Sequence, residues 1–294
     1  MFGVPPIKAV LFVLLAVLVV AFSIVWVSDL RRRGRGSGPT AYQVVVGFIT
    51  DFLDTLGIGS FAMTTTLYRL RKSVPDELIP GTLNVGHCLP TIVQAFIYIA
   101  IVEVEIWTLV LTISAAVLGA SVGAGFVIRW PRRRIQLGMG LALLAAAGLI
   151  LARLTQLLPP GGEANGLEGG YLAAALIGNF VFGALMMIGV GAYAPIMIMV
   201  SLLGMNPATA FPIMMGSCAF LMPVASIRII RAGKYDPAAA LGLTIAGIPG
   251  VLLAALIVKE LPLEAVRWLV VVVVIYTALS MLWAASREKS AIAS

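Results

Sequence analysis

The sequence predicts an all-α polytopic membrane protein, and two observations carry that prediction. Of the 294 residues, 61% are hydrophobic and only 11% are charged, whereas soluble domains carry about 25% charged residues. Uncharged runs long enough to cross a bilayer recur along the chain, at 9–28, 78–102, 106–128, 135–152, 237–258 and 268–286. This composition argues against a soluble enzyme or a nucleic-acid binder. The net charge of +7 is attributed to basic loops beside the membrane.

Helices are the predicted form of these spans, because a β-barrel would show short alternating segments instead of continuous apolar runs. The first run, 9–28, exceeds the roughly 7–15 apolar residues of a signal-peptide core. We therefore expect a retained N-terminal helix. The two cysteines, Cys88 and Cys218, lie inside apolar runs, so no disulfide framework is indicated. No cofactor and no metal site are expected.

After this helix the chain contains one repeat, used twice. Gly57–Phe61 (GIGSF) corresponds to Gly189–Tyr193 (GVGAY) at an offset of 132, and Val85–Cys88 (VGHC) corresponds to Met215–Cys218 (MGSC) at an offset of 130. Each repeat is predicted to be a broken-helix hairpin followed by three transmembrane helices. The predicted division is an N-terminal helix and basic loop at 1–36, repeat 1 at 37–157, an extracytoplasmic loop at 158–170, repeat 2 at 171–286 and a cytoplasmic tail at 287–294.

Basic residues predict the orientation of these segments. In this arrangement 16 of the 20 Lys and Arg residues fall on one side, which the positive-inside rule makes cytoplasmic. The N-terminus is then outside the cell (cytoplasmic) membrane and the C-terminus is cytoplasmic. Because three crossings follow each hairpin, the second repeat is upside down relative to the first. Inverted repeats with interrupted helices are the layout of secondary transporters, whose binding site lies near the bilayer midplane.

The hairpin tips are the predicted site for a small anion. Each tip begins a new half-helix, whose free N–H groups and positive dipole end favour negative charge. Polar residues that the arrangement brings near the tips complete the candidate set. The predicted substrate-binding residues are Gly57, Gly59, Ser60, Thr64, Asn84, His87, Gln94, Gly189, Gly191, Tyr193, Ser217 and Cys218. No catalytic residue is predicted.

Two acidic residues break the symmetry of the repeats. Asp51 and Asp54 lie three residues apart on one face of the first hairpin arm, and an intramembrane carboxylate indicates function by default. We assign them to coupling or gating, with proton coupling as the expected form. Pairing with a basic residue such as Arg153 is the structural alternative. His87, the only histidine, can carry a proton near neutral pH or simply bond a neighbouring helix.

The glycine motifs resemble the sulfite exporter TauE/SafE family, also called the toluene sulfonate uptake permease family. The residues that carry the resemblance are Gly57–Ser60, Gly189–Pro195, Asn206–Ala210, Gly216-Ser217 and Gly247–Gly250. The resemblance covers about 40–286. It implies a transporter, in the inner membrane of the cell, that exports sulfite or a small organosulfonate such as sulfoacetate.

Two other functions stay open from the sequence. A channel or carrier for a metal cation would use Asp51, Asp54, His87 and Cys88 as ligands. An intramembrane hydrolase would pair Ser60 with His87. We expect a transporter and not an enzyme, with a small anion and the lipid bilayer as its partners. The sequence leaves the oligomeric state open.

Overall fold

The chain folds into a bundle of helices in the computed structural model, which describes residues 6–34, 38–157, 161–189, 191–257 and, beyond these, 268, 271–272, 274–276, 278–283 and 285–286. The helices are α1 Pro6–Arg33, α2 Ala41–Thr55, α3 Ser60–Leu70, α4 Ile79–Gly86, α5 Cys88–Ile101, α6 Ile106–Val127, α7 Arg132–Leu154, α8 Gly169–Met186, α9 Tyr193–Leu202, α10 Ala210–Arg231 and α11 Pro237–Ile257. A last apolar helical stretch is Val274–Trp283. The predicted tail, 287–294, lies outside the described residues.

By length and composition, six helices in the described part of the chain can cross a membrane, and the bent pair α4–α5 makes a seventh. The predicted all-α polytopic class is therefore confirmed. The centre of the bundle is α10, most of whose residues are buried. It packs against α1, α4, α5, α6 and α9, so it contacts helices from both predicted repeats.

Both predicted hairpins form. In the first hairpin (α2–α3), the Tyr42 hydroxyl near the start of α2 donates to the Leu67 carbonyl near the end of α3, at 2.6 Å. In the second hairpin (α8–α9), the flanking segments meet, since the Asn206 N–H donates to the Ala164 carbonyl at 2.8 Å. In each hairpin, the end of the second helix therefore lies near the start of the first.

The first glycine of each hairpin tip closes the same kind of turn. The Gly57 N–H donates to the Asp54 carbonyl at 2.9 Å, and the Gly189 N–H donates to the Met186 carbonyl at 3.0 Å. Both glycines have left-handed φ angles, +83° for Gly57 and +86° for Gly189, which other residues rarely adopt. These two glycines, which are 132 residues apart in the sequence, therefore also share a backbone conformation. The inverted relation of the two halves stays a prediction.

The uncharged run 78–102 does not form the one continuous transmembrane helix that its length led us to expect. It is bent by 46° between α4 and α5, with His87 at the break. The reason is Pro90, which has no N–H to offer the carbonyl four residues earlier. That carbonyl, of Gly86, instead accepts from the Thr244 hydroxyl of α11 at 2.6 Å.

Each hairpin packs against a helix of the other half. Helix α2, the first arm of the first hairpin, packs along α11, and helix α8, the first arm of the second hairpin, packs along α6. Glycines allow backbone-to-backbone contact there: a Cβ added to Gly250 would lie 2.6 Å from the Phe48 carbonyl oxygen, and one added to Gly119 would collide with the Phe180 carbonyl oxygen. Phe48 and Phe180 are 132 residues apart. These are the small-residue seams typical of membrane helices.

Polar contacts join loop and helix-end residues at each end of the bundle. On one side, the Lys8 ammonium at the start of α1 donates to the Ile99 carbonyl at the end of α5, at 3.0 Å. On the other, Asp76 accepts the Arg69 guanidinium at 2.5 Å and lies 3.7 Å from that of Arg132. Which of these sides faces the cytoplasm stays a prediction.

We predict that Gly119→Ala lowers the stability of the detergent-solubilised protein by about 1–3 kcal/mol, because the new Cβ overpacks the α6–α8 seam. Gly125→Ala is the matched control, since Gly125 lies on the same helix with open space at its Cβ position. It should be neutral, or stabilising by at most about 1 kcal/mol. Thermal unfolding of both variants measures this, and equal melting temperatures would contradict the close contact.

Candidate functional site

The two hairpin tips meet in the interior of the bundle. A Cβ added to Gly191 of the second tip would lie 3.5 Å from the Cβ of Phe61, which follows the first tip. The Phe61 ring lies in turn 5.7 Å from the His87 ring, centroid to centroid. Phe61 is buried. Residues from both halves of the chain therefore surround one small region.

Asp54 caps the helix that begins at the first tip. Its Oδ1 accepts the Ser60 backbone N–H at 2.8 Å, so the chain's own carboxylate occupies the start of α3. Its Oδ2 accepts from the Gln94 amide at 3.1 Å, and the same Gln94 nitrogen lies 2.9 Å from the Thr55 hydroxyl. The sequence led us to expect a free Ser60 amide, which is wrong because a carboxylate at a helix start is itself stabilised there.

His87 bridges a hydroxyl and a carboxylate. Its Nδ1 lies 2.8 Å from Asp51 Oδ1, and its Nε2 lies 3.0 Å from Thr64 Oγ1. All three side chains are fully buried. One ring nitrogen donates and the other accepts in a neutral imidazole, while both donate in an imidazolium. This chain of hydrogen bonds can hold or pass a proton away from water.

The second oxygen of Asp51 has no hydrogen-bond partner among the described residues. It points at Gly247 of α11, where any Cβ would collide with it. A glycine on the facing helix thus makes room for the acid. Among the described residues the partner of Asp51 is His87, and the Arg153 side chain, the alternative partner, lies outside them.

The remaining predicted residues reach the end of α8. The Asn84 amide donates to the Pro80 carbonyl at 2.9 Å and lies 3.5 Å from the Met186 carbonyl. The Cys218 thiol lies 3.6 Å from the Met186 sulfur. Ser217 is buried, and its hydroxyl has no partner in the described part of the structure. The Tyr193 side chain lies outside the described residues.

The polar network belongs to one half of the chain. Asp51, Asp54, Thr64, His87 and Gln94 all precede residue 95. At the repeat offsets of 132 and 130, their counterparts are Gly183, Met186, Ile196, Ser217 and Val224. Of these five counterparts only Ser217 is polar, so the ionisable side chains of this network have no equivalent at the matching positions of the second half.

Two of the alternative functions can be compared with this geometry. The hydroxyl that contacts His87 is that of Thr64 and not that of Ser60, so the proposed Ser60–His87 pair does not form here. Within the described ranges, no group of three or more His, Cys, Asp and Glu side chains is arranged to hold a metal ion.

Sequence reasoning missed three contributors to this site: Thr244, Gly247 and Phe61. Pro90 was a sequence signal for Thr244, because a proline leaves the carbonyl four residues before it without its helical N–H donor. Gly247 and Phe61 lie in motifs that the sequence analysis singled out, but their roles at the site depend on which helices pack together.

A scan against protein families gives a match in the second half of the chain. Residues 171–293 match the family Sulfite exporter TauE/SafE. This confirms the resemblance over the second predicted repeat, which also begins at residue 171. The family is one of membrane transporters, which favours transport over catalysis and agrees with the apolar helices. Searches of curated proteins and of solved structures gave no match.

We predict that Thr64→Val destabilises the protein by about 1–3 kcal/mol, because it removes the partner of a buried His87 nitrogen. Thr65→Val is the control: Thr65 is the next residue on α3, it is equally buried, and its hydroxyl has no partner among the residues that the structure describes. Its replacement should be neutral or stabilising. Thermal unfolding at one pH checks both, and equal effects would contradict the Thr64–His87 contact.

Proposed function

We propose that this protein is a secondary transporter that exports a small sulfur-containing anion, sulfite or an organosulfonate such as sulfoacetate, by alternating access. The observation that carries the proposal is the meeting of two broken-helix tips, one from each half, inside an apolar helical bundle. Broken helices that meet inside the bundle leave backbone groups available to a ligand. The family match over 171–293 supports the substrate class.

The anion is proposed to bind between Gly57–Ser60 and Gly189–Tyr193. Helices α3 and α9 both begin there, and helix N-termini favour anions. The unpartnered Ser217 hydroxyl is a further donor. Because Asp54 already accepts the Ser60 N–H, an anion at the first tip has to displace this carboxylate or bind beside it once it is protonated. Binding of the anion and protonation of the site would then favour each other.

Asp51 and His87 are proposed to carry the coupling proton. They form a buried pair, 2.8 Å apart, that bonds onward to Thr64. Asp54 is the other ionisable carboxylate that interacts electrostatically with both. The counterparts Gly183 and Ser217 cannot form such a pair, so any proton carried by this route is carried in the first half.

A thermal-shift panel on purified protein tests the substrate class. The ligands are sulfite, sulfate, sulfoacetate, taurine, thiosulfate, acetate and a divalent cation. A ligand at a hundred times its dissociation constant should stabilise the folded state by about 2.7 kcal/mol. Stabilisation by sulfite or a sulfonate but not by acetate supports the proposal. Stabilisation by the cation alone would favour the metal carrier instead.

We predict that Gly191→Val abolishes binding of the anion that the panel selects while the protein stays folded. The branched side chain would extend toward Phe61 and fill the space between the tips. Gly148→Val is the control, since Gly148 lies in a helix with open space at its Cβ position. Isothermal titration measures both affinities, and unchanged affinity in Gly191→Val would remove the tips from the site. Gly59→Val is a weaker test because Gly59 has φ +91°, so a side chain there also strains the backbone.

We predict that Asp51→Asn reduces flux driven by a pH gradient while anion exchange at equal pH persists, because the amide keeps the hydrogen bond to His87 but cannot ionise. Proteoliposomes loaded with the selected anion provide both measurements. Glu163→Gln, which neutralises an exposed loop carboxylate, serves as the control. An unchanged response to the gradient in Asp51→Asn would exclude the coupling role.

A further inference from the structure

A groove opens between the ends of α1 and α10, away from the hairpin tips. Its volume is about 640 Å³, and it is lined by Ile24, Val25, Ser28, Asp29, Arg32, Arg33, Ile230, Arg231, Ala232 and Gly233. Both helices end here, at Arg33 and Arg231. The groove therefore lies where the apolar spans leave the membrane, on the basic side of the protein.

The lining divides into an apolar part and a basic part. Ile24 and Val25 are seven or more residues before the end of α1, at the depth of lipid chains, and 62% of Ile24 is exposed. Arg32, Arg33 and Arg231 lie at the helix ends, where headgroups are found. An apolar wall that continues into a cationic rim matches the shape and charge of one anionic phospholipid.

The charges of the rim do not cancel. Three arginines face a single carboxylate, Asp29. Asp29 is already engaged, since it accepts from Arg33 at 2.7 Å and from the Tyr235 hydroxyl at 2.5 Å. Among the described residues, no ion pair engages Arg32 or Arg231. Both are exposed, so both guanidinium groups are free to meet a phosphate.

We propose that this groove binds an anionic phospholipid, with the phosphate between Arg32 and Arg231 and an acyl chain along Ile24 and Val25. Basic pockets between transmembrane helices are known to hold such headgroups. The lipid would join α1, which precedes both repeats, to α10, the central helix. This site is separate from the proposed anion pathway and does not depend on the transported substrate.

The test measures phosphatidylglycerol binding by native mass spectrometry, with phosphatidylcholine as the neutral lipid. Arg32→Gln combined with Arg231→Gln should weaken phosphatidylglycerol binding about 30-fold, since each basic residue contributes about 1 kcal/mol near the headgroups. Arg129→Gln combined with Arg134→Gln is the control, because it removes the same charge from exposed arginines outside the groove. The control should lose less affinity than the groove variant, because its two arginines do not line the groove.

A second variant separates the groove from surface charge. Ser28→Trp keeps every charge but fills the groove, so it should also lose phosphatidylglycerol binding. Glycerol phosphate alone should bind the parent protein only weakly. Equal losses in the two double variants would overturn the proposal. Unchanged phosphatidylglycerol affinity in Ser28→Trp would overturn it as well. Glycerol phosphate binding as tight as that of the lipid would also overturn it and would indicate a site for a soluble anion.

Discussion

Every interruption of a helix in this bundle is subject to one constraint: at membrane depth, a backbone N–H or carbonyl without a partner is costly. The structure meets this constraint with side chains from elsewhere in the chain. The Ser60 N–H at the first tip is bonded to Asp54, and the Gly86 carbonyl at the α4–α5 break is bonded to Thr244. Helix breaks are tolerated here because the surrounding helices supply these partners.

Packing between the two halves of the chain holds these partners in place. The first hairpin packs along α11 of the second half, and the second hairpin packs along α6 of the first. Glycines at these seams bring backbones into direct contact, as Gly250 does with Phe48. Neither half would bury its hairpin alone, so the tips meet only when both halves are assembled.

A repeated scaffold here supports chemistry in one half. Asp51 can stand on α2 because Gly247 leaves space opposite it, while its counterpart Gly183 packs directly against the Ala116 backbone. The same position therefore serves as an ionisable site in one hairpin and as a close helix contact in the other. The two tips are therefore alike in the turn at their first glycine and differ in the side chains around them.

The sequence by itself determined the class of the protein, the number of broken hairpins and the glycines at their tips, because uncharged length and repeated glycines are local properties. It did not predict the bend between α4 and α5, since uncharged length alone does not distinguish a continuous helix from a bent one. The partners of Asp51 and Asp54 were decided only by the tertiary structure. His87 is 36 residues from Asp51, and Gln94 is 40 residues from Asp54. Such pairings depend on how each helix is rotated about its axis against its neighbours, which glycine contacts between distant helices determine.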